Sequence, residues 1–138
     1  MLKLKVDQEF RYRLLGISCH ENDYRLVWAI NNQMKMKFVR TANLIIHNPK
    51  LKLDLEFSRY TYRDEDKYLT YNLVSNRCPD GFLFPEISKI DYLLQIIGDT
   101  HTSHTEGLMK GLRKIEIISA VFPVEPGKIK NPDKIDFE

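Results

Sequence analysis

The sequence predicts an α+β fold with a mostly antiparallel sheet. Three observations carry that reading. Leu51, Leu53, Leu55 and Phe57 alternate with Lys52, Asp54, Glu56 and Ser58, and a period of two marks a strand with one dry face. Two other stretches repeat apolar residues at three and four, the helical spacing, each behind a polar start signal. Strand-like runs flank both helices, and a long hairpin stands between the two units. That order belongs to α+β sandwiches rather than doubly wound sheets.

Residues 10–17 open the chain as a strand, with Phe10, Tyr12 and Leu14 alternating with Arg11 and Arg13. Ser18-Cys19-His20-Glu21 fits a capping box, the Ser hydroxyl accepting from a first-turn N–H and the Glu reaching back. A helix is expected over residues 20–33, with Val27, Ile30 and Met34 on its stripe and Leu26 and Trp28 widening it, so Trp28 reads as core. Asn31-Asn32 weakens its end. Met34, Met36 and Phe38 alternate with Lys35 and Lys37 as a half-buried strand. Residues 41–50 give a weaker signal, an apolar Leu44-Ile45-Ile46 before the turn Asn48-Pro49. The hairpin follows, out along 51–58 and back along 68–74, with Asp64, Glu65 and Asp66 as its loop. Pairing Arg63 with Lys67 sets Phe57 opposite Leu73 and Thr61 opposite Leu69. A register one residue tighter sets Leu73 against Glu56, so the apolar pattern selects the first.

Asn76-Arg77-Cys78-Pro79-Asp80-Gly81 reads as a loop, with Asp80-Gly81 a turn signal, and Pro85 argues against a central strand there. Residues 90–97 are apolar on both faces apart from Asp91 and Gln95, which predicts a covered central strand. Gly98-Asp99-Thr100 closes it. Ser103-His104-Thr105-Glu106 is a second capping-box pattern, opening a helix over 104–113 that buries Leu108, Met109 and Leu112. Gly107 and Gly111 each cost it about 1 kcal/mol against Ala, so it depends on packing. Residues 115–121 form a last strand stopped by Pro123. This order predicts a ferredoxin-like βαβ-hairpin-βαβ sandwich in one domain over residues 1–124, with an enlarged sheet and two helices on one face. Residues 125–138 read as a C-terminal extension docking through Ile135 and Phe137.

Composition narrows the function classes. With 138 residues the chain suits one domain, and 43% hydrophobic content with a net charge of +2 is far from the disordered class. That balance argues against a dedicated duplex-DNA binder. Cys19 and Cys78 have no C-x-x-C spacing and no metal-ligand partners. The start, Met1-Leu2-Lys3-Leu4-Lys5-Val6-Asp7, lacks a signal-peptide core, and no run approaches the length of a membrane span. A cytoplasmic protein with reduced thiols, no membrane contact and no cofactor is expected.

The densest motif is Phe84-Pro85-Glu86-Ile87-Ser88-Lys89-Ile90-Asp91-Tyr92. Pro85, Glu86, Asp91 and Tyr92 form the candidate site. Glu86 and Asp91 read either as an acid/base pair or as anchors for turn amides and an Arg; anchoring is favoured because no nucleophile or phosphate loop accompanies them. Asp91 and Tyr92, adjacent on a strand, are expected on opposite faces. The motif resembles the signature of the bacterial IPExxxVDY family, known mainly from Bacteroidetes, with Phe84 and Ile90 as apolar replacements. Glu21-Asn22-Asp23-Tyr24-Arg25-Leu26 is similar to the family's E-D-Y-R-L helix start, and Asp66-Lys67-Tyr68-Leu69-Thr70-Tyr71-Asn72-Leu73-Val74 to its second hairpin strand. The resemblance spans the chain from about residue 7 to the tail. It implies a cytoplasmic bacterial protein and brings no catalytic residue.

Three other groups carry chemical interest. Asp99, His101, His104 and Glu106 are metal-ligand types, but H-x-x-H across a helix start is not a zinc helix, so a solvated loop is the reading and no metal is expected. Arg59, Tyr60, Tyr62, Arg63 and Tyr68, with Lys67 and Tyr71, mix cations and aromatics on the hairpin and could stack single-stranded RNA, although Asp64, Glu65 and Asp66 would repel a phosphate backbone. Cys19 falls at the predicted helix start, where a thiolate is favoured, but lacks a His-and-acid set and reads as structural. The leading expectation is a non-catalytic interaction or scaffold domain with a protein partner, or a homodimer through sheet faces or edges. A single-stranded nucleic-acid module is the alternative, and a small-molecule enzyme using Glu86 or Asp91 is the third.

Overall fold

The computed structural model describes residues 12–99 and 101–129. The expectations for Phe10, Arg11, Thr100, Ile135 and Phe137 lie outside them. In chain order the elements are β1 (Tyr12–Cys19), α1 (Asp23–Met34), β2 (Val39–Asn48), β3 (Leu53–Asp64), β4 (Leu69–Ser75), β5 (Arg77–Cys78), β6 (Gly81–Phe82), a 3₁₀ turn (Pro85–Ile87), β7 (Tyr92–Ile97), α2 (Thr102–Arg113), β8 (Ile118–Val124) and a second 3₁₀ turn (Pro126–Lys128). The expected α+β class holds. Six strands form one sheet in the order β2-β3-β4-β7-β1-β8, and each neighbouring pair is antiparallel. β5 and β6 form a separate short hairpin inside the segment read as loop.

Alternation sends apolar side chains to both faces of the sheet. Leu15, Ile17, Tyr71, Leu73, Tyr92, Leu94, Ile96 and Val121 join the stripes of both helices, Leu26, Val27, Ala29 and Ile30 from α1 and Leu108, Met109 and Leu112 from α2. Leu14, Phe57, Val74 and Leu93 point the other way, under Leu83, Phe84, Ile90 and Ile129. β7 lies between β4 and β1 and is buried on both faces, as its apolar run predicts. Gly16 matters here through close approach: a Cβ would come 2.5 Å from Ile90 Cδ1. Gly111 does the same between helices, where a Cβ would meet Met34 Cε at 2.6 Å.

Several local expectations are corrected. β1 runs on to Cys19, and the N-cap of α1 is Asn22, whose side chain accepts from the Arg25 N–H, rather than Ser18. Ser18 Oγ instead donates to Lys89 O at 2.9 Å. α1 ends on Lys35 in the left-handed region, so Met34 is helical and Met36 lies in the connection before β2. Asn31 does not loosen the helix end. Its side chain accepts from Phe38 N and donates to Phe38 O, at 2.9 and 3.1 Å. α2 begins at Thr102 with His101 as N-cap and no side-chain cap, so Ser103 does not head a capping box. Pro123 lies within β8 rather than ending it, which an edge strand tolerates.

The hairpin register also differs. β3 pairs Tyr60 with Leu73, Thr61 with Asn72 and Arg63 with Thr70, across a loop of residues 65–68. This is three residues from the expected pairing, an odd slip, so Phe57 and Leu73 face opposite sides. Both faces of β4 are buried. Its apolar pattern therefore could not select one register.

Candidate functional site

The motif residues form a join between β1, the β5–β6 hairpin and β7. Asn76, fully buried, is the hub. Its Oδ1 accepts from Phe84 N at 2.8 Å, and its Nδ2 donates to Ile90 O at 2.8 Å and Ile87 O at 3.2 Å. Its backbone N–H donates to Asp91 O at 2.8 Å, and its carbonyl accepts from Leu83 N at 2.7 Å. One amide side chain thus supplies both the donor and the acceptor that the irregular segment lacks. Read from sequence, Asn76 was only a loop residue. Asn beside turn residues is the sole signal, and it is a weak one.

Asp91 sits just before β7 and is 4% exposed. Its Oδ2 accepts from Cys19 N at 2.7 Å, and its Oδ1 accepts from the Arg77 guanidinium. Tyr92 packs its ring in the core and donates its hydroxyl to Glu21 O at 2.7 Å. Burial first, then the negative charge that Cys19, Asp23 and Asp91 can carry nearby, pushes the Tyr92 phenol well above its ordinary value, so it remains a donor. Asp91 and Tyr92 border one polar cleft of about 600 Å³ with Cys19, Arg77 and Cys78. Asp91 lies just outside β7, so strand alternation does not place it relative to Tyr92, and the two residues border the same cleft. Glu86 is exposed on the 3₁₀ turn behind Pro85 and does not line this cleft. The two carboxylates are not brought together.

Cys19 and Cys78 are free thiols. Burial raises the Cys19 pKa, and the nearby Asp91 and Glu21 charges add to this against a backbone hydrogen bond that lowers it. The helix-start environment expected to favour its thiolate is absent, because Cys19 ends β1.

The hairpin candidates divide between the two faces. Tyr60 is buried in the helix-covered core with the Arg40 guanidinium 5.6 Å from its ring centre. Tyr62 stacks on buried Tyr71 at 5.5 Å and 10°. Tyr68 stands at the hairpin tip, 88% exposed. Arg59 and Arg63 open onto the opposite face. Arg59, Tyr62 and Arg63 border one groove, while Tyr60 is buried and Tyr68 is not among that groove's lining residues. In the His cluster, His104 turns to Tyr71, with Nε2 3.0 Å from the hydroxyl, while Asp99, His101 and Glu106 are exposed. Among the described residues, no three His, Cys, Asp or Glu side chains are grouped to hold a metal ion.

One surface was not anticipated. Trp28, read as core, is 69% exposed, and Tyr24, one turn earlier, is 63% exposed. The α1 stripe is narrower than expected and excludes position 28, which lies about 160° around the helix from both Leu26 and Ile30. Beside the two rings runs an apolar groove of about 630 Å³, bordered by Ala29, Ile115 and Ile117 with Arg25 and Glu116. No described helix is long and apolar enough to cross a membrane. Compared with protein-family models and with curated proteins, the chain matches none.

Proposed function

We propose that this chain is a non-catalytic interaction domain that pairs with a second copy of itself through the outer face of α1. The single observation carrying this is the exposure of Trp28 and Tyr24 beside their own apolar groove. Large aromatics dominate binding energy where they enter a pocket. A patch holding both knob and hole is self-complementary, which a two-fold interface requires. The charges agree: Arg25 and Glu116 border the same groove, so each can meet its opposite on the second copy. Arg25 already pairs with Glu21 at 3.2 Å, but an exposed pair of this kind is weak enough to exchange.

The occupied state of Asp91 supports a non-catalytic reading. Its carboxylate is spent on Cys19 N–H and Arg77, and Glu86 is elsewhere. The proposal keeps the ferredoxin-like description. β8, β1, β7 and β4 are neighbours in that order, with β2 and β3 enlarging the sheet beyond β4. It also keeps membership of the IPExxxVDY family and a cytoplasmic setting, supported by the motif and the free thiols.

Trp28 is the only tryptophan, so its fluorescence reports on this patch directly. Sedimentation velocity across a dilution series should give a dimer that dissociates as the Trp emission moves to the red. Trp28→Glu should be monomeric with an unchanged far-ultraviolet spectrum. A monomer at every concentration, or a dimer indifferent to Trp28→Glu, would overturn the proposal.

A further inference from the structure

The face of the sheet opposite the helices is covered only in part. Leu83, Phe84, Ile90 and Ile129 close it over Leu14, Phe57 and Leu93. Towards the β2 edge the face opens into a groove of about 490 Å³. Lys37, Arg59 and Arg63 stand around it, Thr41, Thr61 and Asn72 lie among them, and no described lining residue is acidic.

The strand period builds this arrangement. Arg59, Thr61 and Arg63 are alternate residues of β3 and share one face. The register sets Thr41 beside Arg59 and Asn72 beside Thr61. Arg59 Nε donates to Thr41 Oγ1 at 3.2 Å and to Ala42 O at 3.0 Å. Thr61 Oγ1 donates to Asn72 Oδ1 at 2.8 Å, and Asn72 Nδ2 donates to Gln95 Oε1 at 3.2 Å. Asn72 is 2% exposed, so the chain of polar groups is fixed from below. The hydroxyl and amide protons are spent on one another, so the exposed cations Lys37 and Arg63, with no acidic residue among the described lining, are what complements a compact dianion.

We propose that this groove binds the phosphate group of a small phosphorylated ligand. Its volume falls in the small-molecule range of about 300–1,000 Å³. An extended polynucleotide fits less well. Asp64, Glu65 and Asp66 follow Arg63 directly, and Tyr62, the one ring among the described lining residues, already stacks on buried Tyr71, while Tyr60 is buried on the opposite face. A phosphatidate headgroup presents the same dianion, and the test separates the two sources.

The full chain is titrated with sodium pyrophosphate at fixed ionic strength while backbone amide signals are followed. A second arm measures co-sedimentation with phosphatidate vesicles. Saturable shifts centred on Thr41, Thr61 and Asn72 are expected, with affinity falling about tenfold or more in the double variant Lys37→Gln, Arg63→Gln. Both side chains are exposed, so this variant should fold, which circular dichroism checks. Shifts with pyrophosphate alone assign a soluble ligand, and vesicle binding lost in the same variant assigns a lipid headgroup. Shifts that never saturate, an unaltered double variant, or single-stranded RNA bound more tightly than either phosphate source would each reject the site. None of these residues lines the Trp28 groove, so this result stands apart from the dimer test.

Discussion

The cleft at the Asp91 end of the sheet and the groove on α1 are opposite kinds of anomaly. In the first, charged and polar side chains lie inside the protein. In the second, large apolar side chains lie outside it. The inner polar groups are matched to partners: Asp91 with Cys19 N–H and Arg77, Tyr92 with Glu21 O, Asn76 with backbone groups of Leu83, Phe84, Ile87, Ile90 and Asp91. The outer rings of Tyr24 and Trp28 have water where a core residue has neighbours. A buried polar group that is fully matched is accounted for by folding. An exposed aromatic pair beside a hollow is not, which is why the second region carries the functional proposal.

The largest expected effect breaks the inner region. Asp91→Ala leaves the Cys19 N–H buried without an acceptor and removes the partner of Arg77. Arg77 is half-exposed, so water can take up its charge, and the expected loss is about 3 kcal/mol. Urea unfolding of both proteins measures it. A loss below about 1 kcal/mol would mean that the carboxylate is not an anchor, and the acid/base reading of Asp91 would regain its force.

One buried oxygen sharpens the contrast from the other side. Thr105 Oγ1, in the first turn of α2, has no hydrogen-bond partner among the described residues. If matched partners are what make inner polar groups favourable, removing an unmatched one should help. Thr105→Val keeps the shape and is expected to stabilise by about 1 kcal/mol in the same unfolding assay. Destabilisation would indicate that the hydroxyl does have a partner.

How far these regions were legible follows from what covers them. β7 could be placed from sequence because it is apolar on both sides, and few surroundings except a sheet centre accept that. The β3–β4 register could not, because the same two-sided burial of Leu73 and Val74 erases the alternation that would fix it. Pro85, Asp91 and Tyr92 were recognisable as a structural join, but Asp91 and Tyr92 share a cleft only because β7 starts between them. Asn76 gives almost no signal, since its role depends on where the carbonyls and amides of residues 83–91 end up. Trp28 was misread because hydrophobicity alone assigned it inward. The sequence places Arg59 and Arg63 beside Tyr60, Tyr62 and Tyr68, but of these rings only Tyr62 lines their groove; across the register Arg59 meets Thr41 and Val74, and Arg63 meets Thr70.

The smallest expected effect concerns a polar contact under the helix-covered face. His104 Nε2 lies 3.0 Å from the Tyr71 hydroxyl. Burial pushes the Tyr71 phenol up to about 12, with Asp64 and Tyr62 adding to it, so it keeps its proton. Burial also lowers the His104 pKa below its ordinary 6.5, helped by Lys67 and opposed by Asp64. The folded state therefore holds a neutral imidazole at a pH where the unfolded chain already takes up a proton. Stability from this pair is complete above about pH 6.5 and declines as the pH falls through the lowered value, because the unfolded state then binds more protons. His104→Gln can still hydrogen-bond Tyr71 but does not titrate. Between pH 7.5 and 5.5 the urea midpoint of the parent should fall further than that of His104→Gln. Equal losses would show that the imidazole is no less basic when folded, and that this contact is as open to water as the α1 groove.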